Sequence, residues 1–222
     1  MLTLVIGNKN YSSWSLRPWL LMRHFGVPFA EHALLLDTPS FYEEIERWSP
    51  NRSVPALHDD DLVIWDSLAI CEYVNERFLE GRGWPSDPRA RAQARSAAAE
   101  MHSGFVALRK QLPMNLRRQP DGYHWNADAD RDIARVQAIW RGLRQAYGAG
   151  GPFLCGEFGI VDAMFAPVLV RFAGYGAPID ATAQAYGEAI RALPAYAEWH
   201  AAALAETVRL PDTDNLAAEP AK

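Results

Sequence analysis

Apolar positions at the start of the chain predict a strand, a helix and a second strand. Leu2 to Ile6 form an uninterrupted apolar run that ends at Gly7, which is typical of a buried strand. Apolar residues between Leu16 and Phe25 recur with helical spacing, and Gly26 follows as a C-cap candidate. Residues 29–36 form a second strand candidate. This segment therefore predicts a β-α-β unit.

The next apolar segments predict a hairpin followed by a helix. Residues 56–57 and 62–65 are short apolar runs separated by an acidic turn at 59–61, which is a hairpin signal. Asp66 and Ser67 come directly before apolar positions with helical spacing, and both residue types are good helix N-caps. A β-α-β unit followed by a β-β-α unit is a thioredoxin-like arrangement. We therefore expect residues 1–80 to form a thioredoxin-like α/β domain.

The second half of the chain has a helical pattern. Residues 81–87 are rich in Gly and Pro and predict a linker, after which residues 88–222 are expected to form an all-α domain, a C-terminal helical bundle. Residues 128–147 predict one long amphipathic helix, and the tail from Pro211 onwards is polar and expected to be loose. The first helix of this domain is predicted to carry a continuous apolar stripe: Met101, Phe105, Leu108 and Leu112.

Composition and charge exclude some classes of function. The chain has 222 residues, of which 49% are hydrophobic and 22% charged, so it can bury a sizeable core. The net charge is -5, and no basic run extends beyond Arg117–Arg118, which argues against nucleic acid as the main partner. No apolar run reaches membrane-spanning length and the N-terminus does not resemble a signal peptide, so we expect a cytoplasmic protein without membrane contact.

The two cysteines, Cys71 and Cys155, do not have the spacing of a metal site or of a Cys-x-x-Cys motif. Both lie in apolar surroundings, which is typical of buried thiols in a reducing compartment. The pattern therefore predicts no metal, and it argues against a thiol-disulfide oxidoreductase.

The helix that starts at Asp66–Ser67 offers a binding site for an amino-acid group. A helix N-terminus carries unpaired N–H groups and partial positive charge, which suit a carboxylate. The acidic side chain beside it can hold an ammonium group. The alternative is that these residues only cap the helix, which is the commoner role of Ser and Asp at such a position.

Residues 52–78 resemble the glutathione-binding half of the glutathione S-transferases. The family has a Val-Pro pair with a cis proline, followed by an acidic or amide residue and a Ser, and the matching positions here are Val54–Pro55 and Asp66–Ser67. The resemblance implies that the Val54 backbone pairs with the cysteinyl residue of glutathione. It also implies that Ser67 binds the γ-glutamyl carboxylate and that Asp66 binds the amine.

Two basic residues near this stretch are candidates for the glycyl end of glutathione. Arg52 precedes Val54, where the family often has a residue that contacts this end, and Lys9 lies in the first turn. The alternative for each is a solvated surface charge.

A second resemblance lies in SSWSLRPW, which is similar to the Ser-Ser-Cys-Ser-x-Arg turn of zeta-class transferases such as maleylacetoacetate isomerase. It places Ser12 on the catalytic serine and Ser13 beside it, with Trp14 replacing the cysteine. A hydroxyl hydrogen bond and a helix N-terminus both favour a thiolate over a thiol. Either serine could instead cap the helix, and Pro18 favours a helix that begins late, with Ser15 as N-cap.

The resemblance implies a pocket for the second substrate beside the first turn. His102 and Arg109 are seven residues apart and thus on one side of the predicted helix, together with Phe105. A positive pocket suits an anionic or electron-poor cosubstrate. The alternative is that His102 and Arg109 are exposed or paired with carboxylates.

The resemblance covers essentially the whole chain and implies a transferase that uses glutathione as cosubstrate. The expected reaction is attack of the glutathione thiolate on a small electrophile, by a cytoplasmic homodimer. Two alternatives stay open: a glutathione-dependent cis-trans isomerase of the maleylacetoacetate isomerase type, and a glutathione-binding scaffold protein without turnover.

Overall fold

A four-stranded sheet forms the centre of the N-terminal domain in the computed structural model, which describes residues 1–216. The sheet has the order β2-β1-β3-β4, with β1 parallel to β2 and antiparallel to β3, and with β3 and β4 forming the predicted hairpin. Its strands are β1 (Leu2–Gly7), β2 (Ala30–Leu34), β3 (Ala56–Asp59) and β4 (Leu62–Trp65). The helices are α1 (Ser13–His24), α2 (Pro39–Trp48) and α3 (Ser67–Phe78). This is the thioredoxin-like domain that the sequence predicts.

The second helix of this domain is absent from the sequence-based prediction. Thr38 caps α2 by accepting a hydrogen bond from the Phe41 N–H, and Pro39 occupies its first position. The side chains that α2 buries are those of Phe41 and Ile45. Two apolar positions four residues apart give too short a stripe to identify a helix.

The second part of the chain is all-helical, as predicted, and residues 79–87 connect α3 to its first helix. Its helices are α4 (Pro88–Ser103), α5 (Val106–Gln111), α6 (Ala127–Tyr147), α7 (Ile160–Tyr175), α8 (Ala181–Arg191), α9 (Pro194–Ala205) and the short α10 (Pro211–Asp214). The central helix is α7, which is buried along almost its whole length and packs against both α1 and α4. None of the helices in residues 1–216 is long and apolar enough to cross a membrane.

The helix expected to carry the stripe from Met101 to Leu112 is in fact two helices. The chain leaves α4 at Gly104, where a Cβ atom would lie 2.7 Å from the Glu100 carbonyl oxygen. Phe105 then has a φ of 55°, and α5 begins at Val106. The four stripe residues are nevertheless all buried. The prediction was right about burial and wrong about an unbroken helix, because burial does not report the backbone turn between two segments.

The segment that follows α9 is bonded to the first loop, and Asp214, which belongs to the tail expected to be loose from Pro211 onwards, takes part in these contacts. The Glu206 carboxylate accepts hydrogen bonds from the N–H groups of Lys9 and Asn10, at 2.6 and 3.0 Å. The Asp214 carboxylate accepts a hydrogen bond from the Tyr11 hydroxyl at 2.8 Å. Arg117 joins the two segments by donating to the Glu206 carbonyl oxygen and to the Tyr11 hydroxyl. The final part of the expected tail, residues 217–222, lies outside the described residues.

Candidate functional site

A cavity of about 370 Å³ lies where the start of β3, the start of α3 and the end of α4 meet. It brings together the Val-Pro pair ahead of β3, two residues at the start of α3 and two residues of the predicted second-substrate pocket, although these positions are far apart in the sequence. The lining residues are Trp14, Asn51, Ser53, Val54, Pro55, Asp66, Ser67, His102 and Arg109. Four of the six predicted glutathione positions and two of the three predicted second-substrate positions therefore share one cavity.

Val54 presents free backbone groups to this cavity. The Val54–Pro55 peptide bond is cis, as the resemblance implies, and β3 begins directly after it at Ala56. Within residues 1–216, neither the N–H nor the carbonyl oxygen of Val54 has a hydrogen-bond partner. An extended peptide can therefore pair with this residue as an additional strand.

Asp66 links the two domains at the edge of the cavity. One carboxylate oxygen, Oδ1, accepts hydrogen bonds from the N–H groups of Leu68 and Ala69 and so caps α3. The other, Oδ2, lies 2.5 Å from Nε2 of His102 on α4. Asp66 has φ 76° and ψ 133°, a conformation that is costly for a residue with a Cβ atom. Such backbone strain is concentrated at functional sites.

Ser67 is the first residue of α3 and is only 1% exposed. Its hydroxyl oxygen is buried and has no hydrogen-bond partner in the described part of the chain. An unpaired buried hydroxyl costs about 1–3 kcal/mol, so a partner supplied by a ligand has a clear energetic benefit. The partial positive charge at the start of α3 makes that partner most favourable when it is an anion.

Ser12 is the N-cap of α1, in agreement with the alternative that one of the serines caps this helix. Its Oγ accepts a hydrogen bond from the Ser15 N–H at 3.4 Å and donates to the Ser15 Oγ at 2.7 Å. Consequently α1 begins at Ser13, and the expectation of a late start with Ser15 as N-cap is wrong. Pro18 lies inside the helix instead of in its first turn.

Ser13 faces the helical domain. Its Oγ accepts a hydrogen bond from Nη2 of Arg171 at 3.1 Å. Both serines are buried, and neither is among the residues that line the cavity, although the adjacent Trp14 is. The catalytic role expected of Ser12 and Ser13 stays a prediction.

Three further predicted residues lie outside the cavity lining. Lys9 Nζ forms an ion pair with Glu31 at 2.7 Å. Arg52 is exposed and pairs with Glu46 at 2.9 Å, in agreement with the alternative of a surface charge. Phe105 is buried in the core at the junction of α4 and α5. Their proposed contacts with ligands remain predictions.

Trp14 is the main lining residue to which the sequence assigned no role. Its ring lies 4.0 Å from the guanidinium carbon of Arg17 and 5.3 Å from that of Arg109. The imidazole ring of His102 is 5.4 Å away, measured between ring centroids. The signal for this position in the sequence is the replacement of the zeta-class cysteine by tryptophan.

A larger cavity, of about 770 Å³, lies between the domain connection and the segment before α7. It contains His24 and Cys155 among aromatic residues such as Trp84 and Phe158. Burial raises the pKa of the Cys155 thiol to about 12, so this thiol is protonated at neutral pH. None of the predicted site residues lines this cavity.

A thioredoxin-like domain with a cavity at a cis proline, followed by a helical domain, defines the glutathione S-transferase class. The model of the glutathione S-transferase N-terminal domain matches residues 11–77, and that of the C-terminal domain matches residues 126–202. The chain belongs to this family.

Relatives of this chain carry different functional names. It is 27% identical over 176 residues to a stringent starvation protein A homolog of Coxiella burnetii, covering 79% of this chain and 78% of the relative. It is 31% identical over 118 residues to mouse maleylacetoacetate isomerase, covering 53% and 55% of the two chains. Among solved structures, a Burkholderia glutathione transferase homolog with bound glutathione superposes with a TM-score of 0.69 at 22% identity, over 92% of this chain and 99% of that one.

Proposed function

We propose that this protein is a glutathione transferase that binds glutathione in the cavity at Val54 and Ser67. Three features support the proposal: family membership, free backbone groups on Val54, and a buried Ser67 hydroxyl at a helix N-terminus. The similar fold of a transferase homolog solved with bound glutathione adds to it.

In the proposed pose, each part of glutathione contacts a different residue of the cavity. The γ-glutamyl carboxylate accepts the Ser67 hydroxyl hydrogen bond at the start of α3, and the amine approaches the Asp66 carboxylate. The cysteinyl backbone pairs with Val54, which directs the thiol toward the wall formed by Trp14, His102 and Arg109. The small electrophile then occupies the same end of the cavity, where positive charge suits an anionic or electron-poor molecule.

The proposed reaction is nucleophilic attack by the glutathione sulfur. The thiol loses its proton to solvent water, the thiolate forms a carbon–sulfur bond with the electrophilic carbon, and the leaving group departs with its electron pair. The enzyme has to favour the thiolate at neutral pH, where an unperturbed thiol is mostly protonated.

The buried hydroxyl of Ser67 is the observation that carries this proposal, and Ser67→Ala tests it. The variant removes a group without a partner in the described chain, so the free energy of unfolding should be unchanged or slightly higher. Glutathione affinity measured by calorimetry should fall by about 1.5–3 kcal/mol, since a hydrogen bond to a carboxylate is lost. The matched control is Ser96→Ala on α4, where the hydroxyl is exposed and donates to the Ala92 carbonyl oxygen. Unchanged affinity in Ser67→Ala would refute the pose.

Two alternatives keep support from particular relatives. The mouse relative named maleylacetoacetate isomerase favours glutathione-dependent cis-trans isomerisation. The name of the Coxiella homolog is not that of an enzyme, which leaves a binding protein without turnover as the second alternative. The transferase is supported if the protein conjugates glutathione to an activated aryl chloride, which is measured by the absorbance of the thioether product. Isomerisation of a maleyl compound without such conjugation supports the isomerase. Glutathione binding with neither activity supports the binding protein.

The proposal includes a cytoplasmic homodimer. Both cysteines are free thiols, which fits a reducing compartment. Leu62 and Trp65 on the edge strand β4 are 48% and 45% exposed, and Val106 on α5 is 49% exposed. A second copy whose helices pack against the small domain would cover such residues.

A further inference from the structure

Two arginines are fully buried behind the cavity, one in each domain. Arg17 on α1 is 1% exposed, and its Nε donates to the Met164 carbonyl oxygen on α7 at 3.0 Å. Arg171 on α7 is 5% exposed and donates to the Leu112 carbonyl oxygen and to the Ser13 hydroxyl. Nη1 of Arg17 is buried without a hydrogen-bond partner among the described residues.

A third arginine completes this group at the cavity wall. Arg109 donates to the His102 carbonyl oxygen at 3.1 Å and lies over the Trp14 ring, which Arg17 also contacts. Within residues 1–216, none of the three guanidinium groups forms an ion pair with a carboxylate. We call Arg17, Arg109 and Arg171 the arginine cluster.

Few negative groups face the cluster. The negative charge of the Asp66 carboxylate at the start of α3 stabilises the charged form of Arg17, but Oδ2 of Asp66 is already bonded to His102. The negative charge of Asp132 on α6 stabilises the charged form of Arg109. Burial raises the pKa of the Cys71 thiol on α3, so this group stays neutral. The positive charge of the cluster is therefore only partly compensated by negative charge.

The cluster remains charged at neutral pH at a cost to the fold. Burial, followed by the charges of Arg171 and Arg109, lowers the pKa of Arg17 to about 9. Burial also lowers the pKa of Arg171 to about 10. Both values lie above neutral pH. Burial of a charge without an ion-pair partner costs free energy, which hydrogen bonds to carbonyl oxygens offset only in part, so folding alone does not explain this arrangement.

We propose that the arginine cluster is the device that stabilises the glutathione thiolate, acting through its positive charge across Trp14. The inference rests on the proposed function, because it requires glutathione in the cavity. It accounts for the two serines, since the Ser12 hydroxyl is bonded to Ser15 and the Ser13 hydroxyl accepts from Arg171. In the step concerned, the S–H bond breaks, the electron pair stays on sulfur, and the proton passes to solvent water.

The test compares Arg17→Met with Arg23→Met by ultraviolet titration of the thiolate of bound glutathione. Arg23 lies on the same helix but is partly exposed and ion-paired with Glu31 and Glu198. Arg17→Met should raise the thiol pKa by about one unit, which is roughly a tenfold loss of thiolate at neutral pH, while Arg23→Met should leave it unchanged. Calorimetry should show similar glutathione affinity in both variants, because the tripeptide is held by Val54, Asp66 and Ser67.

The outcomes separate this inference from the proposed function. Wild-type protein that does not bind glutathione overturns both. Glutathione binding with an unchanged thiol pKa in Arg17→Met overturns the inference alone. Should Arg17→Met fail to fold, Arg109→Met supplies the same measurement, because Arg109 is only partly buried and also lies over the Trp14 ring. An unchanged thiol pKa in that variant likewise overturns the inference.

Discussion

Substitution of Asp66 separates the stability of the fold from the recognition of the glutathione amine. The residue caps α3 through Oδ1, contacts His102 through Oδ2, and has a strained backbone with φ 76° and ψ 133°. Asp66→Asn keeps a side chain that can cap the helix but removes the negative charge. Asp66→Gly removes the whole side chain and makes the backbone conformation favourable.

The two variants are expected to change the free energy of unfolding in opposite directions. Asparagine caps a helix as well as aspartate, and the contact with His102 is partly exposed, so Asp66→Asn should lose at most about 1 kcal/mol of unfolding free energy. Glycine costs only a few tenths of a kcal/mol as N-cap, whereas relief of strain returns about 1–3 kcal/mol. Asp66→Gly should therefore be more stable than the wild type, by about 1 kcal/mol or more.

Both variants should bind glutathione more weakly. Loss of a charged partner for the amine costs about 1.5–3 kcal/mol, which corresponds to roughly a 10- to 150-fold higher Kd. Urea unfolding gives the stability and calorimetry gives the Kd. The matched control is Asp87, which caps α4 by accepting from the Ala90 N–H but has an ordinary φ of -64°. Asp87→Gly should lose stability slightly and leave the Kd unchanged.

Two results would refute this reasoning. An Asp66→Gly variant less stable than the wild type would show that the backbone conformation is not strained. An unchanged Kd in Asp66→Asn would remove the carboxylate from the amine site.

Three further predictions concern the serines, a buried carboxyl group and assembly. Ser12→Ala should lower the unfolding free energy by about 1 kcal/mol through loss of the α1 cap, with little change in the thiol pKa, and Ser96→Ala on α4 is its control. A rise of the thiol pKa by about one unit or more in Ser12→Ala would instead support a catalytic serine. Burial raises the pKa of Asp162 from 3.8 to about 7, so the folded protein binds more protons than the unfolded chain between these values. The contribution of Asp162 to stability should therefore fall as pH rises from 4 to 7, and unfolding of Asp162→Asn should lack this trend; parallel pH profiles would contradict it. Sedimentation at micromolar concentration should show a dimer, and a monomer would exclude that assembly.

The sequence predicted the sheet and the first part of the site because their signals are local. The strand β1 and the hairpin of β3 and β4 each come from a short run of apolar residues that are adjacent in the sequence. Asp66 and Ser67 are adjacent in the chain and start a helix, so their chemistry could be inferred together. The break at Gly104 could not be inferred, because a helix interrupted by one turn keeps the same apolar stripe.

The arginine cluster was beyond prediction for a different reason. A charged residue inside an amphipathic helix normally faces solvent, and the pattern around Arg17 gives no sign that both sides of α1 are covered. The covering helix, α7, lies far along the chain, as the contact between Arg17 and Met164 illustrates. Only the tertiary structure reveals that Arg17 and Arg171 are buried beside the same cavity.

The contact between the segment after α9 and the first loop has a consequence for synthesis of the protein. Lys9, Asn10 and Tyr11 are made 196 to 203 residues before their partners Glu206 and Asp214. Until then, the loop that leads into α1 lacks the carboxylates that fix it. A nascent chain can therefore form its sheet first, while the loop ahead of Trp14 reaches its final geometry only after residue 214 has been made.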